Sequence, residues 1–231
     1  MKFAVVQFGG SNCDRDVFHV VSDVCGVDCD LVWYKDGLKK DYDAIVLPGG
    51  FSYGDYLRAG AIAARMPVMK DVIRHADAGG LVLGICNGAQ IGAESGLVPG
   101  MFTTNEYPKF ICREAYLRVE NTTSPFTSKY TPGEVISIPI AHKEGRYVAS
   151  PDVLETLESE NRVAFRFCDS EGNVTEASNP NGSAGNITGV LGGDGNVLVM
   201  MPHPERASEK VLGSDDGLRL FESMIAHCEA Q

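Results

Sequence analysis

Opening an amide bond calls for a strong nucleophile, and one of the chain's seven cysteines, Cys86, is set apart by its neighbours. Leu81-Val82-Leu83-Gly84-Ile85-Cys86-Asn87-Gly88-Ala89-Gln90 passes from an apolar run through Gly-x-Cys-x-Gly into a helical pattern. That is the cysteine version of a nucleophile elbow. A sharp strand-to-helix turn there would lift the Cys86 sulfur above the C-terminal edge of a sheet. Glycines on either side remove Cβ atoms where the chain reverses. A helix starting at the sulfur favours thiolate through its amides and dipole, and the Asn87 N–H would lie close enough to hold an oxyanion. The plainer alternative is a buried cysteine between packing glycines; the strand–elbow–helix context argues against it.

An amide nitrogen leaves only when protonated, so an acid–base group must accompany the sulfur. Met201-Pro202-His203-Pro204-Glu205-Arg206 directly follows an apolar run. Proline biases its preceding residue to extended geometry, which would put His203 and Glu205 on one side and let the carboxylate orient the ring. His19, His75 and His227 sit in helical patterns, whereas His142, in Ile140-Ala141-His142-Lys143-Glu144, is the rival base with a carboxylate nearby. Leu47-Pro48-Gly49-Gly50 ends another apolar run, leaving the Gly50 N–H as a second oxyanion donor or merely closing a turn. Ser52 and Asp55, in Phe51-Ser52-Tyr53-Gly54-Asp55, suit a substrate α-ammonium.

These groups need a scaffold of strands ending side by side. Apolar runs at 3–8, 31–34, 44–47 and 81–85 alternate with helical patterns at 14–24, 61–76 (interrupted near Pro67) and 87–94, as a parallel sheet flanked by helices requires. The middle, from about 101 to 146, has more alternating strands (112–119, 135–140) that fit antiparallel additions. A short helix over 152–159, late strands at 163–167 and 197–200, and a closing amphipathic helix over 217–229 complete an α/β chain without repeat or linker. One domain over residues 1–231 is expected.

Composition narrows the function classes. A formal charge of −11 and the lack of a Lys/Arg cluster argue against a nucleic-acid partner. No run approaches the ~18 apolar residues of a membrane helix, and no signal-peptide pattern opens the chain, so a cytoplasmic protein is expected. The odd, scattered cysteines argue against disulfides and against a metal; Cys25 and Cys29 have ligand-like spacing but no answering pair.

Pro48-Gly49-Gly50, Gly84-Ile85-Cys86-Asn87-Gly88-Ala89-Gln90 and His203-Pro204-Glu205 together resemble the class I (triad) glutamine amidotransferase family. Longer stretches, among them Gly9–Asp16, Phe51–Ala61, Ile138–Tyr147 and Asn179–Ser183, narrow the resemblance to glutaminase subunits of purine biosynthesis and extend it over essentially the whole chain. The resemblance implies a flavodoxin-like fold with an open, mostly parallel sheet. It implies Cys86 as nucleophile, His203 as base, Glu205 as its orienter, Gly50 and Asn87 as oxyanion donors and Gln90 as a glutamine contact. It also implies a large synthetase partner that consumes ATP with Mg, a small bridging subunit, and no cofactor on this chain. Lys143 departs from relatives that often carry Gly there. Rival readings are a subunit of another amidotransferase, a cysteine amidase or peptidase on the same sheet, or a scaffold subunit that kept the fold.

Overall fold

In a computed structural model that describes residues 1–231, four strands form the heart of the sheet: β1 (Lys2–Gln7), β3 (Ala44–Leu47), β4 (Leu81–Ile85) and β11 (Val197–Met200). All four are apolar along nearly their whole length, and every residue of β3, β4 and β11 is buried. Strands covered on both faces read this way, without alternation. With β2 (Asp28–Trp33) they lie parallel in the order β2-β1-β3-β4-β11. Their C-terminal ends therefore share one edge, where open α/β sheets hold ligands.

Beyond β11 the sheet changes character. β10 (Ile187–Gly192), β9 (Val163–Cys168), β6 (Ile111–Val119) and β7 (Val135–His142) continue it in that order, every pairing antiparallel, to nine strands. β7 alternates buried with half-buried residues, as expected of a strand with one covered face. β5 (Met101–Thr103) and β8 (Arg146–Val148) form a separate antiparallel pair.

Helices α1 (Asp14–His19), α2 (Val68–Asp77), α3 (Asn87–Glu94), α4 (Pro151–Ser159) and α5 (Leu218–Glu229) complete the chain. The helix predicted over 14–24 winds as α only to His19 and finishes as a π turn, Val20–Val24. The helix predicted over 61–76 is divided near Pro67, as expected: Ala63–Arg65 is a short 3₁₀ turn, and Pro67, lacking an N–H, caps the start of α2. The strand β10 lies outside the predicted set. Its sequence, Ile187-Thr188-Gly189-Val190-Leu191-Gly192, carries glycines that read as breakers, yet Gly189 is there because a Cβ would lie 2.7 Å from the Phe165 ring. No helix is long and apolar enough to cross a membrane.

Candidate active site

Cys86 stands where β4 meets α3, with φ 50° and ψ −103°, a backbone conformation costly for a non-glycine residue. The Cys86 N–H is held by the Met200 carbonyl of β11 at 2.8 Å, so the neighbouring strand fixes the turn. The flanking glycines act as predicted, by lacking a Cβ where the chain turns, and not through special backbone angles. Neither Gly84 nor Gly88 has positive φ. Instead, a Cβ at Gly84 would sit 2.7 Å from the Gly88 carbonyl oxygen, and one at Gly88 would sit 1.9 Å from that of Leu47. They let α3 lie directly on the strands, while the strain is carried by the cysteine itself.

His203 follows β11, the strand beside β4, so the two side chains rise from adjacent strand ends into one cavity of about 640 Å³. His203 and Glu205 are both buried, and His203 Nδ1 lies 2.7 Å from Glu205 Oε1. The contact predicted from extended geometry is made by another route: Pro204–Arg206 is a 3₁₀ turn, and it is this turn that brings the carboxylate under the ring. His203 Nε2, the other ring nitrogen, has no hydrogen-bond partner. Burial works against charge on this imidazole, but the Glu205 carboxylate and the Cys86 sulfur outweigh it and hold its pKa well above the ordinary value. The site favours an imidazolium at His203. The His203 N–H is anchored on the Pro139 carbonyl of β7 at 2.9 Å, so the far end of the sheet curls back to brace the base.

Gly50 closes β3 with φ 152°, and a Cβ there would lie 2.6 Å from the Gly10 carbonyl oxygen, so only glycine fits. Gly50 lines the cavity with Cys86, Gln90 and Asp55. Asn87 is the first residue of α3; its Oδ1 accepts from the Ser52 N–H (3.1 Å) and its Nδ2 donates to Gln90 Oε1 (2.9 Å). Gln90 Nε2 in turn donates to the Glu144 carbonyl (2.7 Å), so much of the Gln90 amide is already engaged in tying α3 to the loop after β7. Ser52 is buried and absent from the cavity wall, a place that does not match the substrate contact expected of it; its N–H supports Asn87 instead. Asp55 does face the cavity, half-buried, and burial together with nearby Glu144 pushes its pKa up to about 6.

His142 is the last residue of β7 and lines the same cavity. Burial, reinforced by the charge on His203, pushes its pKa down to about 3, which disqualifies it as the rival base at neutral pH. The preceding carbonyl, of Ala141, accepts from Cys86 Sγ at 3.6 Å. His19, His75 and His227 lie in α1, α2 and α5, and none of them lines the cavity.

Several residues in or around the cavity were not singled out by a chemical motif of their own. Cys13 comes within 3.8 Å of His203 Nδ1, and Arg206 Nη2 donates to its sulfur at 3.1 Å. Asn105 and Asn181, buried, hold the 142–145 loop from either side. The two asparagines belong to turns whose pairing only the folded chain defines; Cys13 and Asn181, but not Asn105, lay inside stretches that carried the resemblance. Cys13, His203 and Glu205 are the one group whose ligand atoms, all within 4.8 Å of one another, could hold a metal ion. Those donors are already committed to each other and to the Arg206 guanidinium, a cation beside any incoming one. Cys25 and Cys29 are not part of any such group.

A strained cysteine at a strand end, facing a carboxylate-backed histidine on the next strand, defines a cysteine-dependent amide hydrolase site on a doubly wound sheet. The chain belongs to the CobB/CobQ-like glutamine amidotransferase domain family, whose model matches residues 1–227. It is 57% identical to the phosphoribosylformylglycinamidine synthase subunit PurQ of Methanosarcina acetivorans, with 97% of each chain covered. The subunit of the same name from Methanosarcina barkeri is 56% identical over 97% of each. Among solved structures, a chain of PurLQS from Thermotoga maritima superposes with a TM-score of 0.86 at 43% identity, covering 98% of both chains.

Proposed function

We propose that this chain is the glutaminase subunit of a phosphoribosylformylglycinamidine synthase. It hydrolyses glutamine and passes ammonia to an ATP- and Mg-dependent synthetase subunit, which converts formylglycinamide ribonucleotide to formylglycinamidine ribonucleotide in purine biosynthesis. The observation that carries the reading is Cys86 sharing a cavity with a Glu205-backed His203. Full-length likeness to PurQ subunits supports the choice of substrate and partners, including a small bridging subunit, and a cytoplasmic location goes with it.

The Cys86 thiolate attacks the side-chain carbonyl carbon of glutamine, and the carbonyl π electrons move onto oxygen, towards the Gly50 and Asn87 N–H groups. His203 delivers its Nε2 proton to the nitrogen as the C–N bond breaks, leaving ammonia and a γ-glutamyl thioester on Cys86. His203 then takes a proton from water, which attacks the thioester and releases glutamate. Glu205 keeps the imidazole oriented throughout. Asp55, when ionised, offers a counter-charge to the α-ammonium of the substrate.

Cys86→Ala in the assembled synthase tests the assignment. Glutamine-dependent product formation should fall about 10⁴-fold or more, while synthesis driven by added ammonium persists. Glutamine-dependent activity surviving the change would instead support a scaffold subunit.

A further inference from the structure

The ring of His142 is only 3% exposed, and each of its nitrogens has a distinct environment. Nε2 lies 3.1 Å from Asn181 Nδ2. The orientation of that amide is fixed twice over. Asn181 Oδ1 accepts from the Ser183 N–H (3.1 Å) and the Ser183 hydroxyl (2.7 Å), while Nδ2 also donates to the Gly145 carbonyl at 2.8 Å. A backbone carbonyl can only accept, so the atom facing it must be the NH₂ group. Nε2 of His142 must therefore accept, and the neutral ring carries its hydrogen on Nδ1. Gly145 closes off the Cδ2–Nε2 edge, since a Cβ there would come within 2.1 Å of Cδ2. Asn105 fixes the chain on either side: its Nδ2 donates to the His142 carbonyl (3.1 Å) and its Oδ1 accepts from the Gly145 N–H (3.0 Å). What remains is a buried Nδ1–H without a partner, on a ring lining the cavity that holds Cys86, Gln90 and His203.

A buried donor left unpaired is destabilising, so its persistence in so braced a position points to a ligand that satisfies it. We infer that His142 is a substrate-binding residue whose Nδ1–H, held in place by Asn181, donates to an oxygen of bound glutamine. The inference rests on the glutaminase reading and adds a specificity contact to it. Asn181 is a positioning residue: it chooses the tautomer through Nε2, the ring nitrogen that is not the proposed donor. Because the ring stays neutral, the donor is available across the physiological range without competing with His203 for a proton.

The test uses the chain assembled with its synthetase partners and reads glutamine kinetics. His142→Phe keeps a ring but removes the donor; KM for glutamine should rise about tenfold with kcat changed far less. His142→Asn, whose amide can place an N–H near the Nδ1 position, should recover most of the loss. Asn181→Asp, which accepts where asparagine donates, should move the hydrogen to Nε2 and raise KM with the ring still present. Nitrogen-15 spectra of the histidine-labelled chain, with the His142 signals identified by their loss in His142→Asn, should show Nδ1 protonated and Nε2 bare. An Nε2-protonated ring overturns the inference. So does a His142→Phe enzyme with unchanged KM, or one losing kcat at constant KM. If His142→Phe fails to fold, the spectra and Asn181→Asp decide. Failure of the broader reading is separately visible as glutamine turnover that survives Cys86→Ala.

Discussion

The carboxyl group of Asp55 faces the cavity with a pKa pushed up to about 6 by burial and by Glu144. Near neutrality it is mostly ionised, and below 6 mostly neutral. If it pairs with the substrate ammonium, which favours the ionised form, glutamine affinity strengthens as pH rises through about 6 and weakens below it. Measuring KM between mildly acidic and neutral pH should show that dependence in the parent chain and its loss in Asp55→Asn. Glu205 acts at one remove from the substrate. Glu205→Gln preserves shape but presents either an amide or a neutral oxygen to Nδ1, so the imidazolium loses its counter-charge. A fall in kcat of about 10²–10⁴-fold is expected, with a smaller effect on KM. The triad residues were legible because each sits in a short motif whose chemistry is local. Cys13, Asn105 and Asn181 were not, since their importance arises from contacts between segments 36 to 190 positions apart.

Elements place those residues through unusually close backbone packing. α3 presses on β3 so tightly that Gly88 has no space for a methyl group against the Leu47 carbonyl. Gly88→Ala should therefore destabilise the chain by about 3 kcal/mol or more, or shift the elbow, and a thermal melt read beside glutaminase activity distinguishes the two. Gly96→Ala, at a helix end with open space around it, should cost less despite its positive φ. The parallel strands could be read from unbroken apolar runs ending in turn residues. β10 could not: its glycines answer to Phe165 and to the Leu97 carbonyl, neighbours that only the assembled sheet supplies. The 3₁₀ turn that carries Glu205 was hidden for a related reason, since two prolines permit both an extended path and a tight one.

At the scale of the molecule, the catalytic edge opens onto a mouth edged with exposed apolar side chains, Phe51 at 53% and Phe110 at 64% among them. Ammonia released there into water is protonated and lost unless a partner receives it. The isolated chain is accordingly expected to turn glutamine over slowly, and assembly with the synthetase and bridging subunits to raise kcat. Equal steady-state rates with and without partners would remove the coupling. The other end of the sheet bears on a different hazard. β7 is the outermost strand, and Pro139 within it gives its carbonyl to the His203 N–H. In an antiparallel strand a residue's N–H and carbonyl point to the same side, so the hydrogen that proline lacks is missing from the outward border. A foreign strand seeking to zip onto the sheet would find no donor at that rung, and the rung's acceptor already taken. The proline that steadies the base thus also discourages fibre-like stacking of one copy on another.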